Sequence, residues 1–119
     1  MEWEVEYTDE FGVWWETLTE DEQDSLRFSV DLLTASGPQL ARPHVDTVRG
    51  SKHPNMKELR TQHRGSPLRT FFAFDPRRTA ILLIGGDKTG RDRFYQETLR
   101  KADKLYDEHL EDLKKEGLI

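Results

Sequence analysis

The chain has 119 residues, no cysteine and a net charge of −5, which sizes it for one domain and excludes disulfide and thiolate chemistry. Hydrophobic and charged residues each make up 34%, and three Trp, three Tyr and six Phe supply enough bulk for a packed core. No apolar run approaches the ~20 residues of a membrane span, and the acidic start MEWEVEYTDE has no hydrophobic signal region, so a cytoplasmic protein is expected.

The segment EWEVEY alternates Trp3, Val5 and Tyr7 with glutamates, the pattern of a half-buried strand. Phe11, Trp14, Trp15 and Leu18 then fall at helical spacing, predicting a short helix from Thr8 or Asp9 to Leu18. TEDE at 19–22 is a capping box, in which Thr19 accepts from the Glu22 amide while the Glu22 side chain reaches back. Leu26, Val30 and Leu33 continue a second helix that Gly37 and Pro38 stop.

GPQLARPHVDTVRGSKHPN holds three prolines and little periodicity, and reads as a loop of about twenty residues, functional or mobile. MKELRTQ predicts a strand with Met56, Glu58, Arg60 and Gln62 on one face and Lys57, Leu59 and Thr61 on the other. HRGSP is a turn, LRTFFAF a strand, DPRR a tight turn with Pro76 in the favoured second position, and TAILLIGG a strand buried on both faces. From about Asp92 to Glu116, Leu99, Ala102, Leu105, Tyr106, His109, Leu110 and Leu113 recur at helical spacing. A helix of that length spans ~36 Å, so part of it is expected to project beyond so small a core or to lie against something else. The fold class is therefore α+β: an antiparallel sheet in the order β-α-α-β-β-β-α, with an N-terminal helical hairpin and a long C-terminal helix packed against it.

GGDKTG matches neither a P-loop nor a dinucleotide fingerprint, and His44, His53, His63 and His109 show no metal-ligand spacing, so no cofactor and no metal are expected. Charge is unevenly spread. Residues 57–93 hold nine Lys/Arg against four Asp/Glu, whereas residues 1–56 hold four against twelve. An acidic molecule can in this way carry a basic face that attracts polyanions. Lys57, Arg60, His63, Arg64 and Arg69 lie on or between two neighbouring strands, and Lys88, Arg91, Arg93 and Tyr95 follow the last one. Each alone reads as a solvated surface residue. Together they match what metal-free RNA cleavage needs: a base for the 2′-hydroxyl, cations for the phosphate and an acid for the departing 5′-oxygen, with an aromatic to stack on an unpaired base.

MKELRTQHRGSPLRTFFAFD, TAILLIGGDKTGRDRFY and ADKLYDEHLEDLKKEGL, in that order, resemble the RelE/ParE toxin superfamily, and within it the HigB-like, phage-derived branch. The resemblance is clearest over residues 54–119, and it implies a single toxin domain over 1–119. It implies the toxin of a type II toxin–antitoxin pair, acting as a ribosome-dependent mRNA endonuclease. The ParE branch, which inhibits DNA gyrase, and an inactive antitoxin-binding relative are the alternatives. Carried over by position, Arg60 and Arg69 match substrate-facing strand residues, Lys88 a basic residue after the last strand, and Tyr95 an aromatic at the start of the final helix. His63 or Lys57 is the candidate base, with Arg64, Arg91 and Arg93 as further RNA contacts. Many HigB-like proteins have a lysine pair where this chain has Asp87-Lys88, and Arg91 and Arg93 are the candidates to replace the missing cation. Glu58, where some of these nucleases carry a basic residue, either pairs with Arg60 or acts as a base itself. The partners implied are a helix-turn-helix antitoxin in a hetero-oligomer, and mRNA on the ribosome.

Overall fold

The computed structural model describes residues 2–87 and 92–119. Its elements are β1 (Val5–Tyr7), α1 (Asp9–Glu16), α2 (Glu20–Ser36), β2 (Val45–Thr47), β3 (Lys57–His63), β4 (Ser66–Phe74), β5 (Ala80–Asp87) and α3 (Asp92–Lys115), with a 3₁₀ turn over Gly37–Gln39. The expected order is present, with one added strand. The five strands form one sheet in the order β1-β5-β4-β3-β2. Pairing is antiparallel from β2 through β5, while β1 joins β5 in parallel, so the sheet is mostly rather than wholly antiparallel.

Local chemistry fixes the helix ends. Thr8 caps α1 by accepting from the Phe11 amide, and its own hydroxyl donates to the Leu83 carbonyl (2.6 Å), which moors the helix to β5. The Thr19–Glu22 capping box is formed in both directions at the start of α2. Gly37 ends that helix at φ +60°, and a Cβ there would lie 2.3–2.5 Å from the Trp3 indole, so both backbone and packing require glycine.

α1 and α2 cover one face of the sheet and α3 the other. Phe11, Leu26, Leu33, Leu59, Phe72 and Leu82 form the core on the hairpin side. Met56, Phe71, Ile81, Leu83, Leu99, Ala102 and Tyr106 form the core under α3. Each fully buried Leu or Phe contributes about 1.5–3 kcal/mol, so the two clusters dominate the stability of the fold. β5 does serve both faces, as its ILLI run suggests, and a bulge opposite Phe71 and Phe72 accommodates the change of register.

One expectation is corrected and one is decided between its alternatives. The long connection is not one loop: Val45–Thr47 pairs with Leu59–Lys57 as an edge strand, and residues 51–53 are tied down on α3. Ser51 Oγ donates to Asp103 Oδ1 (2.5 Å), the Lys52 amide to Asp103 Oδ2 (3.1 Å), and His53 Nε2 lies 2.8 Å from Asp107 Oδ1. That strapped segment also extends the surface that α3 can cover. Of the two alternatives for the long helix the second therefore holds: it is packed from Tyr95 to Leu113, partly against this segment.

Gly85, part of the glycine-rich stretch after ILLI, has a packing role. A Cβ on it would come within 2.3–2.7 Å of the Trp14 ring, so the indole of α1 lies against bare backbone.

Candidate functional site

β3 and β4 are neighbours, and their register sets Arg60 directly opposite Arg69. Side chains alternate along a strand, so both guanidinium groups stand on the α3 face of the sheet. Two facing cations need a counter-charge, and Glu58, two residues before Arg60 on the same face, supplies it. Its Oε2 accepts from Arg60 Nε at 2.9 Å and lies 3.6 Å from Arg69 Nε. Its Oε1 accepts from the Tyr95 hydroxyl at 2.5 Å, and the Tyr95 ring packs edge-on against Phe71, with ring centres 5.2 Å apart. Glu58 is only 3% exposed. A buried carboxylate so placed is held by charge-assisted hydrogen bonds, and it orders all three side chains around it.

Asp46 of β2, which pairs with Glu58 across the strands, extends the network by accepting from Arg42 (2.9 Å) and Arg60 (3.3 Å). The hydrogen bond from Arg42 holds its carboxyl below the usual range, against a smaller opposing effect of burial. Arg69 is more enclosed than Arg60. Burial lowers its pKa from the ordinary arginine value while Glu58 opposes the shift. Its Nη1 donates to the Leu68 carbonyl (3.0 Å), and its buried Nε makes no hydrogen bond among the described residues. Burial, and then the bond to Glu58, push the Tyr95 phenol above its ordinary value, so it keeps its proton through the neutral range.

β2 stops short of the end of β3, and beyond it the β3 edge and α2 enclose a cleft of about 680 Å³ with Arg60 and Arg69 in its wall. The arrangement offers two positive groups at an open cleft, a carboxylate able to take up a proton, and a protonated phenol that fixes the carboxylate.

The remaining sequence candidates are placed differently. Lys57 and His63 fall on the opposite, hairpin face by the same alternation. His63 Nδ1 lies 2.7 Å from Ser25 Oγ of α2, next to the Thr61–Ser29 hydroxyl pair (2.8 Å), so the proposed base is directed into a helix–sheet contact and away from Glu58. Arg64 sits in the exposed β3–β4 turn at φ 45° and pairs with Asp21 at 3.3 Å. Arg93 is 95% exposed and lies 3.5 Å from Glu97, one helical turn on. Lys88 and Arg91 lie outside the described residues. Asp46 and Arg42 had no signal in the sequence, because three residues of alternation inside a proline-rich stretch do not announce a strand.

A helical hairpin on one side of a mostly antiparallel sheet and a long C-terminal helix on the other define a small α+β domain with a RelE-like fold. Residues 13–107 match the model of the phage-derived Gp49-like proteins, and the chain belongs to that family. It is 44% identical over 101 residues, 83% of this chain, to a Mycobacterium tuberculosis protein described as candidate toxin HigB2. It is 47% identical over 91 residues, 76% of this chain, to candidate toxin HigB3 of the same organism. The matched stretch spans 50% of the HigB2 protein and 78% of the HigB3 protein. Among solved structures, a double arginine-to-alanine variant of E. coli toxin RelE in the free state superposes with a TM-score of 0.55 over 95% of this chain and 99% of that one. At 12% identity that likeness carries the fold alone.

Proposed function

We propose that the protein is the toxin of a toxin–antitoxin pair and cleaves mRNA on the ribosome without a metal ion. The observation that supports this best is the Arg60–Arg69 pair held open to the cleft by the buried Glu58. In the free protein Glu58 occupies the arginines much as a phosphate would. When an RNA phosphate enters, Arg60 and Arg69 turn from the carboxylate to the phosphate oxygens, for which a guanidinium fork is well shaped. Glu58 is then free to take the proton of the neighbouring 2′-hydroxyl. The 2′-oxygen attacks phosphorus, the bond to the 5′-oxygen breaks, and that oxygen leaves as an alcohol with a proton from water, whose hydroxide takes up the proton held by Glu58 and restores the carboxylate. The products are a 2′,3′-cyclic phosphate and a free 5′-hydroxyl. Tyr95 is a positioning residue for Glu58. Arg60 and Arg69 carry the charge stabilisation, a type of contribution worth about 10²–10³ in rate for a single donor. Lys88 and Arg91 remain in the proposal as further phosphate contacts on sequence grounds alone, and Arg93 and Arg64 as peripheral ones.

The partner that fits this reading is a helix-turn-helix antitoxin that masks the cationic face. Expression of the wild type is expected to arrest growth and create new 5′ ends within coding regions, read by primer extension. Arg69→Ala should abolish both effects while its circular dichroism stays native. Growth arrest with DNA damage and without new mRNA ends would overturn the nuclease reading in favour of gyrase inhibition.

A further inference from the structure

The cleft beside the arginine pair has a second wall that the proposed chemistry does not use. Phe28 of α2 lines it and is 64% exposed, an unusual setting for a phenylalanine in a domain whose other phenylalanines for which burial is described are largely enclosed. Its helix neighbours Ser25 and Ser29 face β3 through the bonds to His63 and Thr61, which fixes the rotation of α2 and directs Phe28 to the cleft side. Pro43 and His44, from the segment that leads into β2, line it as well.

Hydrogen-bonding groups converge there too. The Arg60 amide donates outward to the His44 carbonyl at 2.7 Å. Backbone groups alternate in direction along an antiparallel strand, so the Gln62 amide and carbonyl point to the same side, past the end of β2 and into the cleft. A flat apolar ring, a proline and a histidine lining the same cleft, and an edge of backbone donor and acceptor groups are what a planar heterocycle with a polar rim requires.

We propose that this cleft is a nucleobase subsite, in which Phe28 stacks on an unpaired base while Arg60 and Arg69 hold the phosphate attached to it, and in which the Gln62 backbone reads the base edge. The occupant is a single-stranded ribonucleotide, and this assignment rests on the nuclease reading above. It is favoured over a protein segment because the cleft joins two cations to one exposed ring, a pairing that matches a nucleotide's phosphate and base.

Adenosine 5′-monophosphate and ribose 5-phosphate differ only in the base, and their dissociation constants can be measured by amide chemical-shift titration. The wild type should bind the nucleotide about tenfold more tightly than the sugar phosphate, as expected for one aromatic–base stack. Phe28→Ala should reduce that ratio to below about twofold and leave ribose 5-phosphate affinity unaltered, whereas Phe28→Trp should preserve the ratio. Arg69→Ala should weaken both ligands alike. A wild-type ratio near one with Arg69-dependent sugar-phosphate binding overturns the base subsite alone. Failure of both ligands to bind overturns it together with the phosphate site. A ratio that survives Phe28→Ala overturns it as well. If that same variant instead loosens the complex with the antitoxin, the ring belongs to a protein contact.

Discussion

The Tyr95 hydroxyl donates to Glu58 Oε1 at 2.5 Å, and this one bond links the first turns of α3 to the strand that carries Arg60. The site is thereby assembled from three separate parts of the chain around a carboxylate that is itself almost completely enclosed. On the proposed nuclease reading, substitution of Glu58 separates chemistry from folding.

Glu58→Gln keeps the shape and the acceptor oxygen but removes the charge. Single-turnover cleavage should slow by about 10²-fold, the usual worth of a positioned proton acceptor, while substrate affinity is held or improved. Glu58→Ala also leaves Arg69 and Arg60 facing each other, and should cost about 3 kcal/mol in a urea unfolding experiment. Full turnover in Glu58→Gln would remove the carboxylate from the proton-transfer step.

His63 is the residue whose position most changes its expected role. With its ring against Ser25 on the hairpin face, His63→Ala should leave cleavage within about twofold and lower stability by about 1 kcal/mol, the net worth of one hydrogen bond. A loss of turnover at unchanged stability would return it to the list of bases.

Gly85→Ala should destabilise the fold by about 1–3 kcal/mol, because the new methyl group meets the Trp14 ring at 2.3–2.7 Å. Combining it with Trp14→Leu should recover part of that loss, giving a non-additive double-mutant cycle in thermal unfolding. Simple additivity would mean that the two residues do not share the contact.

A separate network around buried Asp75 links the fold to pH. Asp75, in the β4–β5 turn, accepts from Arg77 Nη2 (2.8 Å), the Arg77 amide (2.8 Å) and His109 Nε2 (2.9 Å), and Arg77 also reaches Glu6 (2.8 Å). Burial pushes its carboxyl up, but the bonds from Arg77 and His109 outweigh it, so the pKa lies below the ordinary 3.8. A carboxyl depressed on folding stabilises fully above its unfolded pKa, and that contribution is lost as the pH falls through the lowered value. Asp75→Asn should therefore cost about 3 kcal/mol at pH 7 and progressively less below about pH 4, measured by urea unfolding across pH. A cost independent of pH would show that packing and not charge is responsible.

What could be read from the sequence was whatever neighbouring residues decide. The Thr19–Glu22 box, the Gly37 stop, the alternation of β3 and the helical spacing of α3 are contacts or periods within a few residues, and each is present as expected. Arg60 and Arg69 were legible as residues of two neighbouring strands able to converge on one face, while their direct pairing came from the structure. Only the tertiary structure decided that β1 runs parallel to β5, that Val45–Thr47 is a strand, and that Gly85 makes room for Trp14. It also decided that His63 lies against Ser25 of α2, while Tyr95, 37 residues beyond Glu58, touches that carboxylate. The reason is physical. Period and capping are local, whereas the partner of a buried charge is whichever group the packed layers bring within about 3 Å, and chain distance does not constrain that choice.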